Sequence, residues 1–122
     1  MFKKVAFTMY PVEDLARARE FYEKKLQFAV SKVSAGGAWV EYDMPGGGCF
    51  ALTTLAQGVK PSSNSGGTVA FEVEDLDKLA TRLKAEGVEF KLDIFSSPVC
   101  RMAVILDSEG NSLTLHQLHS KQ

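Results

Sequence analysis

Apolar residues recur every three or four positions at Leu15, Ala18, Tyr22 and Leu26, and again at Leu76, Leu79 and Leu83. That spacing paints one face of a helix and predicts two of them. Each run opens on an aspartate, Asp14 or Asp75, whose carboxylate suits the N-cap position. Lys24-Lys25 and Lys84 crowd the last turns, where the helix dipole favours cations, and Gly87 fits the residue that closes the second helix. Elsewhere the pattern changes to short apolar or alternating runs. They cover 28–33, 38–43 and 49–54 after the first helix, and 88–95, 99–106 and 112–118 after the second. These are strands. Met44-Pro45-Gly46-Gly47-Gly48 and Asp107-Ser108-Glu109-Gly110-Asn111 separate the last two runs of each set and predict hairpin turns.

The two halves echo each other. Val12-Glu13-Asp14-Leu15 returns as Val73-Glu74-Asp75-Leu76, an offset of 61, half the chain. Val5-Ala6-Phe7 returns as Val69-Ala70-Phe71 at an offset of 64, which places three extra residues around Met9-Tyr10-Pro11. The plan is strand-helix-strand-strand-strand, twice, an α+β fold of two tandem βαβββ modules forming a curved mixed β-sheet cup. Module 1 spans about 1–56 and module 2 about 68–118. The Gly, Ser, Pro and Asn-rich stretch between them, about 57–67, reads as a linker. A module of this size buries too little surface to be stable alone, so the two are expected to make one domain.

Composition narrows the function more than the fold. Lys and Arg number 14 against 15 Asp and Glu, a net charge of −1, which lacks the basic excess of a nucleic-acid binder. No apolar run reaches the roughly 18 residues of a membrane span. After the two N-terminal lysines, Glu13 and Asp14 interrupt any leader-like apolar stretch. Cys49 and Cys100 form no C-x-x-C pair and are too few for a disulfide framework. The expectation is a small cytoplasmic protein that binds neither nucleic acid nor membrane.

Several words of the sequence, in order and spanning nearly the whole chain, carry a resemblance. They are Tyr10 to Leu15, Arg17 to Glu23 with the Asp14-Leu15-x6-Tyr22 entry, Trp39-Val40-Glu41-Tyr42, Phe50 to Thr53, Val69 to Leu76, and the Asp-x-x-Gly-Asn hairpin running on to His116. In these the chain resembles the vicinal oxygen chelate superfamily, the grouping of glyoxalase I, bleomycin-resistance proteins, fosfomycin-resistance enzymes and extradiol dioxygenases. The resemblance implies their fold, but that fold serves both metal enzymes and metal-free binders.

The family's metal enzymes carry His or Gln on a module's first strand, about seven residues before the capping Asp, and Glu on its last strand. Here those positions fall on Phe7 (or Lys4) and Thr68, and on Ala51 and Thr114. None is a customary ligand for a divalent metal. The sequence is therefore closest to the branch that lacks the ligands, such as the bleomycin-resistance proteins, and no cofactor is expected. That branch implies a homodimer with a small organic molecule held in the cup or at the subunit crevice.

Alternation along strands singles out other residues. Glu72 and His116 should share the face of Thr68 and Thr114. They are candidates for ligand contact, for an acid–base pair, or for a displaced metal site joined by Glu41, the last two serving a lyase, isomerase or dioxygenase-like enzyme. The plainer alternative is that they hydrogen-bond each other. Trp39 and Glu41 share a face with Asp43 and could line a pocket for a planar or cationic ligand, and Tyr10 could cap its mouth. Cys100, beside Arg101, is a candidate nucleophile, although neighbours on a strand point apart and a small buried hydrophobe is the commoner role. His119 lies three residues from the end, where fraying is expected. A third reading, a domain serving only protein association, needs no pocket at all.

Overall fold

A computed structural model describes residues 1–119. Its internal contacts divide the chain into two compact units, Met1–Pro61 and a second from Ser62 onward. The first unit runs β1 (Thr8–Pro11), α1 (Leu15–Glu20) leading into a π turn (Phe21–Lys25), β2 (Val30–Ser34), a 3-10 turn (Ala35–Gly37), β3 (Trp39–Asp43) and β4 (Cys49–Thr53). Its sheet has the order β1-β4-β3-β2, with β1 parallel to β4 and the other pairs antiparallel. The second repeats the plan with β5 (Val69–Glu72), α2 (Leu76–Ala85), β6 (Phe90–Ser96), β7 (Cys100–Leu106) and β8 (Ser112–Leu118), in the order β5-β8-β7-β6. The strand-helix-strand-strand-strand plan is thus realised twice. Among the described residues no helix is long and apolar enough to cross a membrane.

Both helices start where their aspartates stand. Asp14 Oδ1 accepts the Arg17 N–H at 3.0 Å and Asp75 Oδ1 accepts that of Lys78 at 3.1 Å. Each satisfies one of the N–H groups a helix start leaves without an intrahelical partner. The cores beneath them differ in character. In the first unit Tyr22 packs its ring 5.2 Å from Phe50 and stacks on Tyr42, with Val40 and Leu52 alongside, all fully buried. In the second, Leu76, Ala80 and Leu83 of α2 and Ala103, Ile105, Leu113 and Leu115 of the sheet make an aliphatic core.

Two details depart from the sequence pattern. The first helix does not continue as a regular helix to Leu26; the Leu26 N–H reaches back five residues to the Phe21 carbonyl at 3.1 Å. Regular spacing sets consecutive side chains about 100° apart, whereas the wider turn buries both Phe21 and Tyr22. The second departure concerns the repeat. Thr8–Pro11 is the counterpart of Val69–Glu72 at the same offset of 61 as the helix caps, so no extra residues are needed. Val5-Ala6-Phe7 precedes β1, and the position of Phe71 is taken by Tyr10.

The segment 57–67, read as a linker, is anchored in its second half. The Ser62 N–H donates to Asn111 Oδ1 (3.0 Å) and Ser112 Oγ to the Ser63 carbonyl (2.8 Å). Asn111 is itself held by Asp107, whose Oδ1 accepts the backbone N–H groups of Glu109 and Asn111.

Candidate functional site

Each sheet covers one face with its own helix, so site chemistry belongs on the other. In the first unit Val40, Tyr42, Phe50 and Leu52 face α1, and alternation turns Trp39, Glu41, Asp43, Cys49 and Ala51 the opposite way. There the Trp39 indole donates from Nε1 to Glu41 Oε2 at 2.7 Å. The Phe7 ring meets the indole edge-on, with centroids 5.1 Å apart. Burial, helped by the nearby Glu41 and Asp43 carboxylates, pushes the Cys49 thiol up to about 11, so it stays protonated at neutral pH. Tyr10 is placed apart from this group. Its ring packs edge-on against Phe50 at 5.1 Å, on the helix side of the sheet.

On that helix side a polar contact closes the core. The Tyr42 hydroxyl donates to Glu23 Oε2 at 2.8 Å, and Arg19 Nε donates to the same oxygen at 2.7 Å. Burial first, then the Glu23 carboxylate, raises the Tyr42 phenol well above its ordinary range. This group satisfies a buried hydroxyl beneath α1.

In the second unit Glu72 and His116 stand directly opposite in the β5–β8 ladder. Their side chains meet, His116 Nδ1 to Glu72 Oε1 at 2.5 Å, while Glu72 Oε2 accepts the Leu118 N–H at 3.0 Å. The His116 bond, then that of Leu118, holds the Glu72 carboxyl below its ordinary range. The pair expected from alternation is therefore real, in its plain form of mutual hydrogen bonding. Cys100 is buried, and its Sγ lies 3.3 Å from the Ser97 hydroxyl. Arg101 turns to the other face, where it grips Asp77 of α2 with two bonds of 2.6 and 2.7 Å. Neither Arg101 nor His116 is hydrogen-bonded to the thiol. His119 is tied rather than loose: its N–H donates to the Val99 carbonyl, and Nε2 lies 2.8 Å from that of Ser97.

Ala51 and Thr114 occupy equivalent places, opposite Met9 in β1 and Ala70 in β5. Thr68 precedes β5 and donates its hydroxyl to the Ser112 carbonyl at 3.1 Å. Among the described residues no group of three or more His, Cys, Asp or Glu is placed to hold a metal ion. A pocket of about 230 Å³ does open beside Thr68 and Thr114, walled in part by Gly66, Gly67 and Lys91. Sequence reasoning missed it, because a Gly- and Ser-rich segment carries no signal that it will fold back onto a sheet.

A family model for the Glyoxalase/Bleomycin resistance protein/Dioxygenase superfamily matches residues 4–115. Comparison with curated proteins gives no match. Among solved structures, the chain is similar to TnmS3, an antibiotic binding protein from Streptomyces sp. CB03234, with 22% identity and a TM-score of 0.80, over 96% of this chain and 97% of that one. A glyoxalase/bleomycin resistance protein from the same organism shows 24% identity and a TM-score of 0.77, over 93% and 100%. Lactoylglutathione lyase from Agrobacterium tumefaciens shows 19% and 0.71, over 93% and 92%. At these identities the likeness establishes the fold.

Proposed function

Because the chain belongs to the Glyoxalase/Bleomycin resistance protein/Dioxygenase superfamily, we propose that it binds a small organic ligand, planar and cationic, without a metal and without chemistry. The observation that carries this reading is the group on the face of the first sheet turned away from α1, Trp39 fixed by Glu41 and flanked by Phe7. An indole held in one orientation offers a flat surface at little entropic cost on binding. The Glu41 carboxylate has several acceptor sites and gives one to the indole, so it keeps capacity for a ligand's N–H⁺. The similarity to an antibiotic binding protein and to a resistance protein supports a binder. In the family's metal enzymes the ligand positions carry His, Gln or Glu; this chain has Phe7, Ala51, Thr68 and Thr114. The same reading takes the working form to be a homodimer, which sedimentation velocity checks by a mass twice that of one chain.

The test uses the single tryptophan. Titration with 4-aminoquinoline, a cation at neutral pH, is expected to change Trp39 emission saturably and to raise Tm. Neutral quinoline should bind about tenfold more weakly, as should 4-aminoquinoline to Glu41→Gln. Flat emission and an unmoved Tm across both compounds would reject the reading.

A further inference from the structure

Trp39 is the first residue of β3 and follows a turn that does little to hold it. Ala35, Gly36 and Gly37 take φ values of 54, 65 and 93, and the turn closes with the Ala38 N–H on the Ala35 carbonyl at 3.2 Å. Two glycines in succession leave such a turn without side-chain restraint. The peptide that joins Ala38 to Trp39 has to be held from elsewhere.

Thr53, the last residue of β4, holds it. The register sets Thr53 directly opposite Trp39, so both side chains leave the sheet on the face turned away from α1, their Cβ atoms about 5 Å apart. Trp39 is half-buried, whereas Thr53 is fully buried. The Thr53 hydroxyl donates to the Ala38 carbonyl at 2.9 Å and accepts the Leu55 N–H at 2.9 Å. The same carbonyl accepts the Thr54 N–H at 3.2 Å. Two donors from neighbouring residues thus grip the peptide that leads into Trp39. A β-branched side chain committed at its hydroxyl in both directions is also confined to one rotamer. Valine would suit a strand equally well, so the hydroxyl is what sets this residue apart.

We propose that Thr53 is a positioning residue for the indole: it locks the backbone that carries Trp39, while Glu41 and Phe7 meet the ring. The inference rests on the reading of Trp39 as a ligand surface and says where the rigidity of that surface comes from. An indole held at both ends has little freedom left to lose when a ligand stacks on it.

Trp39 is the single tryptophan, so the decay of its fluorescence anisotropy reads its motion with no ligand present. In the parent the indole should turn with the whole molecule and show little sub-nanosecond motion of its own. Thr53→Val should introduce that fast motion and weaken 4-aminoquinoline about fivefold. Thr53→Ser, which keeps the hydroxyl, should restore both. Asp75→Ala, which removes a helix cap in the second unit, should leave the decay as in the parent, so that lost stability alone does not mimic the effect. If Thr53→Val does not fold, the parent carries the test through its own decay and through the Leu55 amide, whose exchange with deuterium should be slowed. Failure of the ligand reading looks different: 4-aminoquinoline then binds neither protein, while the decays still separate them. The proposal is overturned if the parent indole moves freely or the Leu55 amide is unprotected. It is overturned equally if Thr53→Val keeps the parent decay, if Thr53→Ser behaves as Thr53→Val does, or if a ligand bound by the parent binds Thr53→Val as tightly.

Discussion

Gln27 ends the first helix at φ 63, a left-handed conformation that crowds any side chain bearing a Cβ. The second helix meets the same need with Gly87 at φ 82. Gln27→Gly is therefore expected to stabilise the protein, by about 0.5–1 kcal/mol once the greater freedom of glycine in the unfolded chain is set against the relieved strain. A rise in the urea midpoint at constant slope would show it; a fall would mean that the Gln27 side chain holds something in place. Glu72 supplies a pH-dependent expectation. Its carboxyl is lowered in the folded state, first by the His116 hydrogen bond and then by the Leu118 N–H. A depressed carboxyl contributes stability that is present above its unfolded value, near 4.5, and is lost as pH falls through the folded one. With the side chain 54% exposed, solvent screening keeps the effect to a few tenths of a kcal/mol. Glu72→Gln should thus be slightly less stable than the parent at pH 6 and indistinguishable from it at about pH 3. Urea titrations at both values decide it, and a gap that widens toward acid would refute the account.

At the scale of elements, the helix starts were legible because one residue type at one position does a defined job. Asp75→Ala removes the acceptor that holds the Lys78 N–H and should cost about 1 kcal/mol, measured by thermal or urea unfolding. Asp14→Ala should cost about the same, and a cap whose loss changed nothing would mean that the strand before it, not the aspartate, sets the helix start. The second hairpin was legible for the same reason, since Asp107 and Asn111 build its turn from their own side chains. The π turn was not. It depends on two adjacent aromatic residues both being buried, Tyr22 against Phe50, Tyr42 and Phe28, and Phe21 edge-on against Tyr22, which no local spacing announces. The Val-Ala-Phe match misled because a triplet of common strand residues recurs easily, whereas the helix cap fixes where its strand must end. Alternation put Glu72 and His116 on one face and Glu41 on that of Trp39, but the register that sets Glu72 opposite His116, and whether a pair bonds inward or lies open to a ligand, belong to the folded sheet.

For the whole molecule, metal dependence separates a binder from an enzyme most sharply, because it is read as stability and needs no knowledge of substrate. A metal that binds only the folded chain at a thousand times its Kd adds about 4 kcal/mol. For a domain of this length that raises Tm by several degrees or more. The positions that the resemblance matches to the family's metal ligands carry Phe7, Ala51, Thr68 and Thr114, and the Thr68 hydroxyl is already spent on the Ser112 carbonyl. His116 and Glu72 bond each other, so capturing an ion would first break that bond and displace the Leu118 N–H from Glu72. Protein stripped with a chelator is therefore expected to melt within about 1 °C of the untreated sample, and to stay there in millimolar Zn²⁺, Mn²⁺ or Ni²⁺. A chelator-sensitive Tm, restored by one of these ions and insensitive to it in His116→Ala, would instead locate a displaced metal site at that pair and turn the reading toward a lyase, isomerase or dioxygenase.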